Sequence, residues 1–247
     1  DPPLCRSDNY YDPRNLQMYH GPDPKVPHVK DLFARIEKHL RDKNVLCIPH
    51  WGGRHGNPAF HNPKVQRLIE VFSEHRRSED WAASFLNSGY RLGIMASGDD
   101  HYGNPGHGYL HPKGDWDRQE IGMAAVAVYA PEHTRESIFR ALYDRRVYAT
   151  SGDRIILDVR ADGHPMGSEY KTVQPPVMEV EVIGTVAIKL VQIKKDSRVA
   201  LTAKPGKPTV RLRWQDPKFA PGRSCYYYVR VVEENDEEAI SSPIWVN

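Results

Sequence analysis

The sequence has little cysteine, no excess of charge of either sign and no long apolar run. Its three cysteines are an odd number without regular spacing, so they do not form a disulfide framework. The formal net charge is +2, which provides no strong basic field for nucleic acid. No apolar run approaches the roughly 20 residues that a membrane helix needs. We therefore expect neither a nucleic-acid partner nor a membrane span.

Targeting information is also missing from the sequence. The chain begins with Asp1, Pro2 and Pro3, without a methionine or a signal-like segment. This start predicts a processed or truncated chain. Because cysteine usage is equally uninformative, the sequence leaves the cellular compartment undetermined.

Short apolar runs alternate with helical patterns over residues 1–168, after a loop-rich lead-in at residues 1–27. The predicted strands are Val45–Ile48, Leu68–Phe72, Arg91–Ala96, Gly122–Tyr129 and Val147–Thr150, and the predicted helices are Val29–Leu40, Ser78–Asn87 and Thr134–Arg146. Alternation of this kind predicts a parallel α/β domain with its sheet covered on both faces. Ligands of such domains bind at the carboxyl ends of the strands.

The pattern changes after about residue 168, where no helical period appears. Strand-like runs at 177–183, 186–193, 209–214 and 224–232 are separated by turn signals such as KPGKP and APGR. Residues 169–247 are therefore predicted to form a small, immunoglobulin-like β-sandwich, with Trp214 and Trp245 in its core. The run Tyr226-Tyr227-Tyr228 is interpreted as packing rather than as a binding stripe, because at least one face of an alternating strand is core.

Histidine is concentrated where the predicted strands end. Seven of the 12 histidines lie in the 62 residues from His50 to His111. His50 follows the first predicted strand, Glu70 lies in the second, and Asp99 and His101 follow the third. Neutral imidazole and carboxylate are ligands of zinc, manganese and iron, and alternate side chains of an extended chain point the same way. This recurrence favours a metal site, although each residue alone is also typical of a turn.

Five motifs in order carry a resemblance to a known family. They are IPHWGG, IEVFSEHRRSE, GYRLGIMASGDDHYGNPG, RALYDRRVYATSGDRI and YYYVRVVEENDEEAISSPIWV. Over about residues 45–247 the chain resembles an uncharacterised bacterial family of the PHP (polymerase and histidinol phosphatase) superfamily. The resemblance implies the C-terminal part of a distorted seven-stranded β/α barrel, followed by the small all-β sandwich. It also implies bound divalent metal ions, usually manganese, zinc or iron, that hydrolyse phosphate esters.

The resemblance assigns roles to individual residues. His50, Asp99 and His101 match late motifs of the superfamily and are implied to be metal ligands, whereas Asp100 falls on a non-ligand position. Glu70 and His75 match residues that recur in this particular family. Glu70 is expected to be a further ligand, and His75 is expected to be a catalytic proton carrier or another ligand.

Two residues just beyond His50 are candidates for substrate binding. The guanidinium of Arg54 matches phosphate in a bidentate way, and His55 is its neighbour. We expect them to bind a phosphorylated small-molecule substrate, and the alternative is a solvated loop.

The sequence departs from the superfamily pattern in one respect. The first superfamily motif, His-x-His, occurs nowhere in the 247 residues, and five predicted strands are too few for a complete barrel. We therefore expect an upstream segment of the same protein, possibly a separate chain, to hold the first ligands. The predicted function is that of a metal-dependent hydrolase, a phosphoesterase. The alternative is a non-catalytic fragment or binding module whose metal site is incomplete without that segment.

Overall fold

The computed structural model describes residues 33–34, 36, 38, 45–48, 61–73, 76–99 and 124–247. Its described part is mostly β-sheet, with 47% strand and 13% helix. The β/α barrel predicted from the sequence is therefore wrong, since the described elements form a curled β-sheet instead of a ring of parallel strands.

The elements before residue 155 are β1 (Leu68–Ser73), β2 (Arg76–Arg77), α1 (Glu79–Asn87), β3 (Gly93–Ala96), β4 (Ala125–Val128), α2 (Arg135–Tyr143) and β5 (Val147–Thr150). The elements after it are β6 (Ile156–Ala161), β7 (His164–Pro165), β8 (Glu169–Tyr170), β9 (Val177–Lys195), β10 (Arg198–Ala203), β11 (Lys207–Gln215), β12 (Cys225–Glu233), β13 (Glu238–Ser241) and β14 (Ile244–Val246). Neither helix in the described ranges is long and apolar enough to cross a membrane.

The first strand predicted from the sequence is not a strand. Residues Val45–Ile48 adopt neither helix nor strand, although the backbone N–H of Cys47 donates to the carbonyl of Val65 at 2.8 Å. Their apolar run indicated burial only in part, since Val45 and Cys47 are half-buried against a small cluster that contains Val65, whereas Ile48 is 40% exposed. A run of four apolar residues therefore determines neither the backbone conformation nor full burial.

Strands β1 and β3 and helix α1 between them form a parallel crossover unit. Strands β1 and β3 are parallel neighbours, with Leu68 opposite Gly93 and Ile69 opposite Ile94. The connecting helix has acidic residues in its first turn, at Glu79 and Asp80, as helix N-termini favour. A left-handed Gly89, with φ of 91°, follows its end. For this unit, the parallel α/β expectation matches the structure.

The next strand pair contradicts that expectation. Helix α2 connects β4 to β5, yet these strands are antiparallel neighbours, with Ala125 opposite Thr150. They open a sheet whose order is β4-β5-β13-β12-β9-β6-β7, with β10, β11, β14 and β8 branching from this path. Strands from both sides of residue 168 share this sheet, because β6 pairs with β9 and β5 pairs with β13. The predicted domain boundary therefore falls between strands of one sheet.

The longest described strand, β9, covers both of the strands that the sequence predicted at residues 177–183 and 186–193. Its first half lies between β6 and β11, and its second half lies between β12 and β10. Gly184 lies at the change of partners, and the carboxylate of Glu233 accepts the backbone N–H of Thr185 at 2.6 Å there. The contact lies where the pairing of β9 with β11 and β12 is irregular, and there the continuous strand passes from one set of partners to the next.

Replacing Gly184 by alanine is expected to lower the free energy of unfolding by about 1–3 kcal/mol, as overpacking of a full site does. A Cβ at this position would lie 2.4 Å from Oε1 of Glu233 and 2.6 Å from Cδ1 of Ile188. Urea denaturation of this variant beside Gly98→Ala, where a Cβ meets nothing within 4 Å and the backbone lies outside the left-handed region, provides the measurement. Equal stability losses in the two variants would contradict the steric argument.

Strand β12 is buried on both of its faces. Tyr227 is fully buried in one core, together with Val180, Val191 and Val229. Tyr226 and Tyr228 lie in a second core with residues of β1 and β3. The packing interpretation of the tyrosine run is therefore confirmed. Trp245 is also fully buried, as expected, whereas Trp214 is only partly buried against the first core.

Candidate functional site

The candidate site lies where the parallel strands β1 and β3 end side by side. The backbone N–H of Ser97 donates to the carbonyl of Phe72 at 3.1 Å, which extends the strand pairing one residue beyond β3. Parallel neighbours place their carboxyl ends at one sheet edge, where α/β proteins bind ligands. We call the set Glu70, Ser97 and Asp99 the strand-edge site.

Glu70 is a buried carboxylate in an otherwise apolar strand. Its exposed fraction is 7%, and every residue of β1 is buried. The hydroxyl of Ser97 donates a hydrogen bond to its Oε1 atom. A buried carboxylate without polar partners would cost roughly several kcal/mol. The hydrogen bond from Ser97 at the end of the neighbouring strand offsets part of this cost and orients the Glu70 carboxylate.

Asp99 marks the point at which the chain leaves the strand direction. Its φ angle is 52°, in the left-handed region that asparagine and aspartate enter more readily than other non-glycine residues. It follows Ser97 by two residues and is half-buried. The left-handed turn therefore belongs to the same edge of the β1–β3 pair as Glu70.

The structure describes only part of the predicted site. Glu70 and Asp99 are described, whereas the remaining candidates lie outside the described residues, namely His50, Arg54, His55, His75 and His101. Among the residues with described positions, no group of three His, Cys, Asp or Glu side chains could hold a metal ion. The proposed ligand set stays a prediction.

Ser97 was not predicted as a site residue from the sequence, and the structure brings it into contact with Glu70. The available signal was its place as the first polar residue after the apolar run of β3, on the strand next to Glu70. Carboxylate oxygens suit manganese, magnesium and other hard divalent cations, so the donors that the structure describes fit such an ion in their chemistry.

A charged network fixes helix α1, and with it the crossover unit, on the large sheet. Glu79 at the start of α1 contacts Nζ of Lys194, accepts the hydroxyl of Tyr228 at 2.8 Å and lies 3.6 Å from Nε of Arg230. Arg230 in turn donates to Glu238 at 2.6 Å. Because these groups are largely buried, the network specifies one position of α1.

A second anchor lies at the amino end of β3. Nη2 of Arg145 donates to the carbonyl of Gly167 at 3.0 Å and to Oε1 of Glu169 at 2.7 Å, and its guanidinium lies 4.9 Å from the ring centre of Trp245. Burial lowers the pKa of Arg145 to about 10, so the residue is charged at neutral pH. Gly93 fits against it, since a Cβ there would lie 2.8 Å from Cβ of Arg145.

Comparison with known proteins finds relatives without an assigned function. Residues 110–172 and 187–236 match a family model described as "Protein of unknown function (DUF3604)". A protein of Chlamydia trachomatis serovar D is 30% identical over 257 residues, which is 87% of this chain and 40% of that protein. A protein of Chlamydia pneumoniae is 27% identical over 255 residues, with the same two coverages. Both are described as uncharacterized proteins, and this chain spans about 40% of their length.

A solved structure of fibronectin(III)-like modules from Clostridium thermocellum CbhA is also similar. It is 12% identical, its TM-score is 0.24, and the match covers 36% of this chain and 92% of that one. No assignment of fold or function rests on a similarity of this size.

Proposed function

We propose that the protein is a metal-dependent hydrolase, a phosphoesterase, whose divalent cation lies at the strand-edge site. The observation that supports the proposal is the buried carboxylate of Glu70, oriented by Ser97 at the carboxyl edge of a parallel strand pair. Buried polar groups at such an edge are typical of ligand sites in α/β units.

In this proposal the described residues supply oxygen donors to the cation. Glu70 and Asp99 bind it, and Ser97 holds the Glu70 carboxylate in position. A bound divalent cation lowers the pKa of a water molecule and polarises a phosphoryl oxygen. His50 and His101 complete the ligand set that the sequence analysis assigned.

The residues that are proposed to bind the substrate and carry the proton lie outside the described ranges. Arg54 and His55 are proposed to bind the phosphate, because a guanidinium forms two parallel hydrogen bonds to it. His75 is proposed to carry the proton of the reaction. Since the chain spans about 40% of its curated relatives, the further ligands are proposed to come from an upstream segment of the longer protein.

Metal content and phosphoesterase activity test the proposal on the longer protein and on this chain. We expect Glu70→Gln and Asp99→Asn each to lower activity on phosphomonoester and phosphodiester substrates at least about 100-fold, with loss of bound manganese, zinc or iron. Ser97→Ala is expected to weaken metal binding by roughly 10–100-fold, because it removes the group that orients a ligand.

Two matched controls carry the same chemical changes elsewhere. Glu181→Gln replaces an exposed glutamate of β9, and Asp158→Asn replaces an aspartate of β6 on the same sheet face. Neither is expected to change metal content or activity. Activity that survives both Asp99→Asn and a chelator would overturn the proposal. Absence of stoichiometric metal in the longer protein, before and after titration, would favour a non-catalytic binding module instead.

A further inference from the structure

A cleft of about 860 Å³ lies away from the strand-edge site. It opens between the end of helix α1, the turn from β9 to β10, and the loop from β11 to β12. Its charged lining residues are Arg91, Lys195, Asp196, Arg198, Asp216, Lys218 and Arg223. Five cations and two carboxylates therefore face one cavity.

Both carboxylates of the cleft are already engaged. Asp216 is 2% exposed and accepts from Nζ of Lys195 at 2.6 Å and from the hydroxyl of Tyr227 at 2.6 Å. Burial alone would raise its pKa, but these hydrogen bonds outweigh burial and lower it, so the group is ionised. Asp196 accepts the backbone N–H of Tyr226 at 3.1 Å. One cation, Lys195, is neutralised in this way.

Among the described residues, three other cations of the cleft face one remaining carboxylate charge, that of Asp196. The side chains of Arg198, Lys218 and Arg223 are exposed and form no ion pair or hydrogen bond within the described part of the chain. They come from two separate segments: Arg198 starts β10, and Lys218 and Arg223 lie in the loop between β11 and β12. Cations that converge from separate segments on one cavity raise the local concentration of anions.

The cleft also has a rigid aromatic wall. Trp214 lines it and packs on Tyr227, with ring centres 6.5 Å apart. Tyr226 lines it as well, and its hydroxyl is fixed by Asn87 at 2.8 Å and Ser197 at 2.6 Å. A half-buried indole beside unpaired cations suits a ligand that carries both a ring and negative charge.

The cleft and the strand-edge site lie at opposite ends of β3. Arg91 precedes this strand and lines the cleft, whereas Ser97 follows the strand and contacts Glu70. The four residues of β3 span about 13 Å, at roughly 3.3 Å per residue. A ligand of the cleft is therefore separate from a cation at the strand edge.

We propose that this cleft binds a small phosphorylated molecule with at least two negative charges on adjacent phosphates. Its phosphates lie on Arg198, Lys218 and Arg223, and its ring lies against Trp214. The volume of about 860 Å³ is within the range of small-molecule sites, roughly 300–1,000 Å³.

Titration calorimetry of the full chain with inorganic pyrophosphate and with adenosine triphosphate tests the proposal. We expect saturable binding of both probes, tighter for the triphosphate because it carries a ring and a third phosphate. Arg198→Gln and Arg223→Gln should each weaken binding of both probes about tenfold, the loss expected for one charge-assisted contact. Trp214→Leu should weaken the triphosphate and leave pyrophosphate unchanged.

Two matched controls distinguish binding at a specific site from nonspecific attraction to positive charge. Arg211→Gln and Arg213→Gln remove the same charge from exposed residues of β11 outside the cleft, with side chains 80% and 73% exposed. Neither should change binding more than about twofold, the size of a screened distant charge. Asp99→Asn should retain binding, which distinguishes this result from failure of the proposed hydrolase function.

Three results would overturn the proposal. The first is absence of saturable binding of both probes at millimolar concentration. The second is an equal loss in the Arg211→Gln control, which would indicate nonspecific attraction. The third is tighter binding of a single-stranded RNA homopolymer that is lost in the Arg198→Gln variant, which would make the ligand a nucleic acid.

Discussion

Replacement of Trp245 by alanine is expected to lower the free energy of unfolding by about 3–5 kcal/mol, the usual cost of emptying a tryptophan site. Trp245 is fully buried and joins Phe72 and Ile94 of the crossover unit to Ile240 of the large sheet in one core. The guanidinium of Arg145 also lies over its ring. The substitution therefore removes packing between two parts of the fold at once.

Urea denaturation of two companion variants tests this argument. Trp214→Ala, at a partly buried position, should cost less. Trp245→Phe should also cost less than alanine, because Nε1 of Trp245 has no hydrogen-bond partner in the described structure and phenylalanine retains most of the ring. A loss below about 1 kcal/mol for Trp245→Ala, the level of a surface substitution, would show that this core tolerates a cavity.

The sequence predicted local elements well where their signals are local. The strand expected at Val147–Thr150 has these bounds in the structure, and the helix expected at Ser78–Asn87 begins one residue later. Apolar runs and acidic residues at a helix start act within a few positions of the chain. Such signals can be recognised without knowledge of the neighbours in space.

Strand direction could not be predicted, because it depends on distant partners. The strand–helix–strand pattern around α2 is the same as that around α1, yet β4 and β5 are antiparallel. The single strand β9 was missed for a similar reason. Gly184 and Thr185 indicate a turn, but the group that holds the chain there, Glu233, is 48 residues away.

In the candidate sites too, local features could be predicted from the sequence and long-range contacts could not. Glu70 was recognisable because a carboxylate between Ile69 and Val71 must find a partner, but Ser97 as that partner depends on the pairing of β1 with β3. The basic cleft was not predicted, because its lining comes from segments more than 100 residues apart, from Arg91 to Arg223. No sequence window contains such a cluster.

The protein is expected to lose stability and unfold above about pH 10, the pKa of free tyrosine. Burial raises the pKa of Tyr226 to about 12 and raises the pKa values of Tyr148, Tyr227 and Tyr228 as well. All four side chains are at most 6% exposed. The folded state therefore keeps protons that the unfolded state loses, so stability falls as the pH rises from about 10.

The expected loss of folding free energy at high pH is a large part of the total stability of a typical domain. At about pH 11, one unit above the free pKa, each tyrosine that stays protonated in the folded state lowers stability by about 1.4 kcal/mol, and Tyr226, Tyr227 and Tyr228 together lower it by about 4 kcal/mol. Domains are typically stable by about 5–15 kcal/mol. Below pH 10 these groups are protonated in both states, so they produce no pH dependence there.

Tyrosinate absorbance and circular dichroism, followed together against pH, provide the measurement. The buried tyrosines should ionise only as the secondary structure is lost, after the exposed tyrosines have titrated. Tyr148→Phe gives a matched control, because it removes one buried hydroxyl that donates to the carbonyl of Ile155 at 2.9 Å. This variant should lose about 1 kcal/mol at neutral pH and show a shallower loss of stability with alkali. Complete tyrosine ionisation in a chain that keeps its secondary structure would contradict the burial of these residues.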